Sequence, residues 1–493
     1  MLPETTVKIN KLKKKFTNRK ISQGIMLFVL LVISWLVSLL FHFGVKDQDW
    51  YSFYYVGRGV ATGQDMYKDF SDNKGPVWYI LMAGLYKIFG NNPGEALVVS
   101  SAVLDTAAVW LLLSLVSGWF GEGRWGGFKK YTWAILVLLF YKSLSMGTLI
   151  GGMYAENLAN IFLFAAFLLF DRRRDEWSGW LLAMAVFTRP TYLVFGAVFP
   201  ALRWSGEIKS PGLYKWGAGF LAGILMVILP SLYFGSFKDL IGNLIIFNIK
   251  YGGAYSLTAR FLRIMAVLKL DLRLIVCLAI TLLGWFWIIK KEDRKTKLWV
   301  SVLAGGSFLA TFGSGVFYTH HFLQFVPAAT GVTYYLIRQE KIKMIFKPLL
   351  VSLGLLTICT FPLFLLTAKM VVYPNNIRPA PQIPETATHK YLEVVPFYPS
   401  LYFSYNKNSP DRYYQGFMLS KKYNPNPEAD MARHAALDKN IVRETTFLVV
   451  RPSGLTDGVD DEYLRNFKGR FGLVLVRTVS FTGGKIDVYL SSN

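Results

Sequence analysis

Long uninterrupted apolar runs are the feature that most constrains the fold of this chain. A helix needs about 20 consecutive apolar residues to cross the hydrocarbon core of a bilayer. The strongest runs are residues 22–44, 97–119, 131–149, 216–235, 274–290 and 346–367. Only 17% of the 493 residues are charged, against about a quarter in soluble proteins. The sequence therefore predicts a polytopic α-helical membrane protein and argues against an ordinary cytosolic enzyme.

The charge distribution predicts orientation in the membrane. The formal net charge is +23, and the Lys and Arg residues cluster beside apolar runs, at 8–20, 172–174 and 290–297. This is the positive-inside pattern of membrane proteins. Residues 1–21 are therefore predicted to form a basic cytoplasmic N-terminus, and no nucleic-acid partner is expected.

One short apolar segment is predicted to lie along the membrane surface. Residues 77–89 number only about 13 and are bracketed by Gly75-Pro76 and Gly90, so they are too short to cross the bilayer. An amphipathic helix at the outer interface fits this length better. Charge parity agrees, because the next span then runs inward and places Arg124 on the cytoplasmic side.

A second interruption divides residues 177–202. Arg189-Pro190 splits this stretch into segments of about 12 residues, which we interpret as two short helices with Arg189 at an apex near the external side. Further spans at 155–170, 298–316 and 319–337 bring the total to about eleven transmembrane helices. The membrane domain is thus predicted at 22–367, with a first external loop at 45–94 that carries the catalytic residues.

The composition changes at about residue 368. Pro, Asn, Asp and Tyr become frequent, and short strand-like runs occur at 446–450 and 472–476. Residues 368–493 are therefore predicted to form a small external α/β domain.

The first external loop carries two candidates for chemistry. Asp49 lies about one turn beyond the first span, where its carboxylate could serve as general base for a hydroxyl group. A solvated loop carboxylate is the alternative, since exposed Asp is common. Lys74 begins the interfacial helix, where an ammonium group suits a lipid-borne phosphate. Snorkelling towards the headgroups would also place a lysine there.

Polar groups in or beside other apolar segments are further candidates. Arg189 lies between two apolar half-helices, where an ionisable group is costly and is functional by default. Glu156 begins an external helix and is a second catalytic candidate, with capping of the helix dipole as the structural alternative. Asp105 lies in mid-span and is expected to pair internally. His320-His321 cannot share a metal as residues four apart would, so substrate contact or capping is favoured for them.

The first loop also carries an ordered sequence pattern. Its parts are Asp49, Tyr55-Val56-Gly57, Tyr67-Lys68-Asp69 and Asp72-Asn73-Lys74-Gly75-Pro76, followed later by Ala155-Glu156-Asn157, Thr188-Arg189-Pro190 and His321-Phe322-Leu323-Gln324. The pattern resembles the bacterial relatives of the protein O-mannosyltransferases. These are membrane glycosyltransferases of the C-type fold and include the aminoarabinose transferase of lipid A. Two positions depart from it: Gly75 stands where many relatives have Pro, and Arg189 where Lys is commoner.

The resemblance implies transfer of a sugar from a polyprenyl-phosphate donor to an extracytoplasmic glycan, lipid or protein, with inversion at the anomeric carbon. It implies that Asp49 serves at the catalytic centre and that Lys74 contacts the donor phosphate. Substrate contacts are also predicted at Tyr55, Tyr67, Asp69, Asp72, Arg189, His321 and Arg263. No cofactor is expected, and a divalent metal is an alternative that no motif indicates.

Two other functions stay open at this point. A transporter or flippase of lipid-linked sugars would show broken helices in matching halves, and only the break at Arg189-Pro190 is visible. A glycan polymerase or ligase would be expected to carry a large external loop between late helices in place of a C-terminal domain.

Overall fold

The computed structural model describes residues 23–39, 48–72, 74–119, 134–135, 137–139, 141–142, 153–204, 212–249, 256–270, 272–312, 319–326, 328–332, 382–395, 405, 413–414, 439–452, 468–469, 471–481 and 484–492. The predicted N-terminal segment 1–21, Arg124, the predicted span 346–367 and most of 131–149 lie outside these residues.

Helices make up most of the first two thirds of the described chain. They are α1 (Gln23–Leu39), α2 (Gln48–Ala61), α3 (Pro76–Phe89), α4 (Pro93–Trp119), α5 (Ala155–Asp171), α6 (Asp175–Thr188), α7 (Val194–Trp204), α8 (Leu213–Tyr233), α9 (Phe237–Ile241), α10 (Leu257–Leu270), α11 (Leu272–Lys291) and α12 (Arg294–Phe312). The main core lies among α2, α3 and α5, where the Phe53 ring packs edge-on against both Trp78 and Tyr154.

The short helix predicted at 77–89 is confirmed as α3. Pro76 occupies the first turn, where its fixed φ suits a helix and its missing N–H costs nothing. Gly90 ends the helix with a φ of 55°, and its N–H donates to the Tyr86 carbonyl at 2.7 Å. The 14 residues span about 21 Å, which is less than the ~30 Å hydrocarbon core.

The predicted break at Arg189-Pro190 is also confirmed. α6 ends at Thr188, a 3-10 helix covers Pro190–Leu193, and α7 follows. Arg189 is extended, with φ −145° and ψ 111°, as steric contact with a following proline favours. Glycine brings α6 and α8 close together, because a Cβ at Gly179 would overlap the Trp216 carbonyl group.

Two helices in the described part of the chain have the length and composition of membrane spans. Within the described residues, Pro93–Leu115 and Leu213–Tyr233 are long and apolar enough to cross a bilayer, and shorter apolar helices lie at Gln23–Leu39, Pro76–Phe89 and Thr296–Phe312. The segment predicted as a helix from residue 319 differs, since it begins as a 3-10 helix, Thr319–Gln324. The Leu323 carbonyl of this turn accepts from Asn160 on α5, and His321 contacts Arg189; those tertiary contacts outweigh the local helical pattern.

The C-terminal part of the chain forms a mixed four-stranded sheet. Its strands are β2 (Tyr391–Val395), β4 (Thr445–Pro452), β5 (Leu473–Phe481) and β6 (Gly484–Ser491), in the order β2-β4-β6-β5 with β2 and β4 parallel. Short helices α13 (Glu385–Thr388) and α14 (Lys439–Arg443) precede β2 and β4. The strands predicted at 446–450 and 472–476 are therefore confirmed.

A second, two-stranded sheet joins distant parts of the chain. β1 (Phe70–Ser71) pairs in parallel with β3 (Tyr413–Tyr414). The first loop and the C-terminal part of the chain are thus connected directly by backbone hydrogen bonds.

Candidate active site

Lys74 is fixed by the backbone around it. Its N–H donates to Asp72 Oδ1 at 3.1 Å, and its carbonyl accepts from the Tyr67 hydroxyl at 2.9 Å. The next residue, Gly75, donates its N–H to the Thr188 carbonyl at 3.2 Å. A Cβ at Gly75 would overlap the Phe187 carbonyl group, so only glycine allows this approach. The start of α3 is thereby attached to the end of α6, next to Arg189.

Arg189 is buried and held by two partners. Its Nε lies 3.0 Å from Glu156 Oε1, and its Nη2 lies 3.0 Å from His321 Nε2. Because the guanidinium can only donate, His321 accepts through Nε2 and its ring proton is on Nδ1. These contacts orient the planar group and leave Nη1 without a partner among the described residues.

Lys74 and Arg189 form a buried cationic pair. Only 7% of Lys74 is exposed, and burial lowers its pKa from the ordinary 10.5. The charge of Arg189 lowers this pKa further, while the carboxylates of Asp72, Glu156 and Asp49 act in the opposite direction. Two like charges in a dry environment are stabilised by an anion placed between them, so the pair has the electrostatics of an anion site.

The two predicted catalytic carboxylates differ in access. Asp49 lies in the first turn of α2, is exposed, and accepts a hydrogen bond from the Tyr154 hydroxyl at Oδ2, 3.0 Å away. Glu156 is 0% exposed, and neither of its oxygens accepts an aligned hydrogen bond from the described residues. Its contact with Arg189 is therefore an ion pair held by charge. This placement favours Asp49 as the group that can meet an acceptor and Glu156 as the counter-ion of Arg189.

Four predicted substrate contacts lie in the framework of the first loop. Asp69 Oδ2 accepts the Asp65 N–H at 2.7 Å, and Asp72 is 1% exposed in the turn before Lys74. Tyr55 is buried with its ring edge-on to Phe70, at a centroid distance of 6.1 Å. Burial and nearby carboxylates raise the pKa of Tyr67 well above its ordinary value, which keeps its hydroxyl a donor. Their assignment as substrate contacts stays a prediction.

The remaining predicted residues are placed as follows. His321 is buried beside Arg189. Arg263 lies in α10, and its side chain is outside the described part of the structure. The internal pairing predicted for Asp105 is confirmed, with Lys142 Nζ 2.9 Å from its Oδ2. In the described ranges, no three His, Cys, Asp or Glu side chains are grouped as metal ligands would be.

Sequence reasoning missed four residues that shape the site. Tyr154, which holds Asp49, directly precedes Ala155-Glu156. Tyr192 donates its hydroxyl to Asn160 Oδ1 at 2.6 Å, and Asn160 Nδ2 donates to the Leu323 carbonyl at 3.0 Å, which fixes the two 3-10 helices on α5. Lys142 could have been found in the sequence, because it is a charged residue in the middle of the apolar run 131–149.

Comparison with solved structures identifies the architecture. The chain superposes on ArnT from Cupriavidus metallidurans, in a structure bound to undecaprenyl phosphate, with a TM-score of 0.57 over 96% of this chain and 98% of that chain. The chain has the ArnT fold. Sequence identity over the match is 12%, so the likeness concerns the fold alone. No protein-family model matches the sequence, and no curated protein matches it.

The relation to the aminoarabinose transferase that the sequence pattern predicted is confirmed at the level of the fold. The match extends over nearly the whole of both chains. The count of about eleven spans, the orientation of the termini and the separate external domain stay predictions.

Proposed function

We propose that this protein is a membrane glycosyltransferase that takes a sugar from a polyprenyl-phosphate donor and transfers it to an acceptor outside the cytoplasm. The observation that carries the proposal is the buried pair Lys74 and Arg189 beside the accessible carboxylate of Asp49. The ArnT fold supports it, as does the undecaprenyl phosphate bound in the ArnT structure.

The cationic pair binds the donor phosphate in this proposal. Lys74 supplies a compact positive charge, and Arg189 presents the part of its guanidinium fork that Glu156 and His321 do not use. Electrostatic stabilisation of charge that develops in a water-poor site, here on the leaving phosphate, is usually the largest single contribution to enzymatic rate enhancement. Two cations suffice for a single phosphate, so no metal is part of the proposal.

Asp49 acts as general base on the acceptor. The acceptor hydroxyl gives its proton to the Asp49 carboxylate while its oxygen forms a bond to the anomeric carbon. The bond from that carbon to the phosphate oxygen breaks, and its electron pair leaves with polyprenyl phosphate. Attack from the face opposite the phosphate inverts the anomeric carbon. The sugar, a hexose or a pentose, and the acceptor, a glycan, lipid or protein, are left open.

Exposed apolar surface supports the membrane location. Leu221, Met226 and Leu229 on α8 are each more than half exposed, which suits contact with lipid. Tyr214 at one end of this helix and Tyr233 at the other are 72% and 85% exposed, as in the aromatic belts at membrane interfaces. We propose a multi-pass protein of the cell (inner) membrane with a cytoplasmic N-terminus and an extracytoplasmic C-terminal part.

Lipid binding by the full chain in detergent micelles tests the phosphate site. Undecaprenyl phosphate should bind the parent protein, and undecaprenol, which lacks the phosphate, should bind at least tenfold more weakly. Lys74→Met should weaken undecaprenyl phosphate binding by about 10- to 100-fold, as loss of a charged hydrogen-bonding partner does. The control Lys87→Met removes an exposed lysine from the same helix and should bind like the parent. Equal binding of the two lipids would overturn the phosphate site.

Turnover separates this proposal from a transporter. The protein is reconstituted with undecaprenyl phosphates that carry a hexose or a pentose, with an envelope extract as acceptor. A transferase releases undecaprenyl phosphate only when the acceptor is present. A flippase moves the intact lipid across the bilayer and releases no undecaprenyl phosphate. That result would overturn the proposed transferase activity in favour of transport.

A further inference from the structure

A continuous line of polar contacts leads from Asp49 into the helical core. It begins at Tyr154, whose hydroxyl donates to Asp49 Oδ2 at 3.0 Å. Only 6% of Tyr154 is exposed, and its ring packs edge-on against Phe53, one helical turn after Asp49 on α2. The tyrosine is therefore a rigid donor facing an otherwise exposed carboxylate.

Asn157 fixes the backbone of Tyr154 at the start of α5. The Tyr154 N–H donates to Asn157 Oδ1 at 3.3 Å, and the Asn157 N–H donates to the Tyr154 carbonyl at 3.0 Å. The bond to Asn157 Oδ1 is one half of a capping box, in which a side chain of the first turn accepts the N–H of the residue before the helix. Asn157 Nδ2 also donates to Asp105 Oδ1 at 3.2 Å, so the same amide is attached to α4.

The far end of the line is an ion pair within the helices. Lys142 Nζ lies 2.9 Å from Asp105 Oδ2, and both side chains are 1% exposed. Lys142 also donates to the Ser38 hydroxyl at 2.8 Å. A paired and hydrogen-bonded buried charge cannot move without leaving its partner uncompensated, so this cluster is a fixed point.

We propose that Tyr154 is a positioning residue for Asp49, anchored through Asn157 on the Asp105–Lys142 pair. The inference rests on the proposed function, in which Asp49 is the general base. An exposed carboxylate in the first turn of a helix can adopt several rotamers, and a donor on one oxygen selects one of them. Holding the base in one geometry raises the rate of proton transfer without adding to donor binding.

Tyr154→Phe removes only the hydroxyl and keeps the ring. We expect kcat for sugar transfer to fall about 10- to 100-fold, the range for losing a hydrogen bond to a charged group or misplacing a reacting group. The affinity for undecaprenyl phosphate and the thermal unfolding temperature should stay near the parental values. The control Tyr54→Phe removes the hydroxyl of another buried tyrosine, which donates to the Gly90 carbonyl, and should keep the parental kcat.

A double-mutant cycle separates positioning from a structural role. If Tyr154 acts through Asp49, Tyr154→Phe should cost less than twofold in an Asp49→Asn background, because the base is already absent. A purely structural tyrosine would cost the same factor in both backgrounds. Equal costs, or an unchanged kcat in the single variant, would overturn the inference.

Substitutions at Asn157 and Ser101 test whether Asn157 anchors Tyr154. Asn157→Ala should lower kcat by about tenfold with the same non-additivity towards Asp49→Asn. Ser101→Ala removes a hydroxyl that contacts both Lys142 and Asp105 at 3.4 Å but lies off the line to Asp49, and should leave kcat unchanged. If Tyr154→Phe fails to fold, the Asn157→Ala cycle decides the question.

The outcomes distinguish the two proposals. A parent protein that transfers sugar while both Tyr154→Phe and Asn157→Ala keep the parental kcat overturns the positioning role alone. A parent protein that releases no undecaprenyl phosphate with any donor and acceptor overturns the proposed function, and the positioning role with it.

Discussion

Charge compensation organises the residues of the site. Glu156 is fully buried 3.0 Å from Arg189, and removing one member of such a pair leaves an uncompensated charge at a cost of about 3–5 kcal/mol. A carboxylate in this position stabilises its partner and has little access to an acceptor. Asp49 is exposed and can meet an acceptor, which is why the two acids receive different roles.

Asp49→Asn should abolish most of the activity and leave the fold intact. The change keeps an oxygen that can accept from Tyr154 but removes basicity, and general-base catalysis contributes ~10²- to 10⁴-fold in rate. An exposed side chain should shift stability by no more than ~0.5 kcal/mol. Transfer rates and thermal unfolding measure the two effects. Asp47→Asn, two residues earlier in the sequence, should be milder, and an Asp49→Asn rate above about a tenth of the parental rate would exclude Asp49 as the base.

The lowered pKa of Lys74 predicts a pH dependence of lipid binding. An anionic phosphate prefers the protonated lysine, so the affinity for undecaprenyl phosphate should be highest below the pKa of Lys74. Because burial and Arg189 lower this pKa, affinity should fall as the pH rises through a range below the ordinary 10.5. Binding titrations across this range measure the effect. Lys74→Arg stays charged and should show a flatter profile; a parental profile in that variant would contradict the assignment.

In the absence of lipid, the free energy of unfolding should rise with pH over the range in which lipid affinity falls. With a pKa lower in the folded protein than in the unfolded chain, the unfolded chain binds more protons between the two values. The free energy of unfolding therefore rises with pH through this range. Lipid affinity that falls while stability rises is the signature of a buried lysine in the binding site, and general unfolding at high pH would lower both.

At the scale of elements, the meeting of α3 and α6 builds the cationic pair. Gly75 donates to the Thr188 carbonyl, and this single backbone contact brings the residue before it next to Arg189. Proline at this position would lack the N–H that makes the contact. The departure at Gly75 thus has a structural reason in this chain.

Gly75→Ala should disrupt the site more than an alanine substitution at any other position of α3. The new methyl group would overlap the Phe187 carbonyl, and overpacking costs about 1–3 kcal/mol even where side chains can shift. We expect a lower unfolding temperature and weaker undecaprenyl phosphate binding. Gly84→Ala is the matched control, since open space surrounds Gly84 and alanine favours a helix by up to about 1 kcal/mol. Equal behaviour of the two variants would mean that this contact does not build the site.

At the scale of the whole molecule, pairing of β1 with β3 fixes which parts of the chain share a side of the membrane. Phe70 pairs with Tyr413 and Ser71 with Tyr414. Backbone hydrogen bonds between strands require both segments in one compartment. The first loop and the segment Tyr413–Tyr414 therefore lie on the same side of the membrane.

Cysteine labelling tests this arrangement together with the predicted orientation. Single cysteines at the exposed positions Gln64, Arg477 and Arg173 are introduced after replacement of Cys277 and Cys359. A membrane-impermeant reagent added to intact cells should modify positions 64 and 477 and spare position 173. Labelling of position 173 would reverse the orientation. Labelling of only one of positions 64 and 477 would contradict the prediction that the first loop and the C-terminal domain are both external.

The sequence alone determined the features that depend on neighbours along the chain. Apolar runs predict helices, proline and glycine set the limits of α3, and Arg189-Pro190 predicts the break after α6. Asp49, Lys74 and Arg189 were identifiable because each is a charged residue next to an apolar segment, where an ionisable group is costly.

Tertiary structure decided the pairing of these charges. Tyr154 lies 105 residues from Asp49, Arg189 lies 132 residues from His321, and Lys142 lies 37 residues from Asp105. No local pattern specifies such partners, because a buried charge can be compensated by any suitable group that packing brings within about 4 Å. The packing of the helices therefore assigned Glu156 to Arg189, Lys142 to Asp105 and Tyr154 to Asp49.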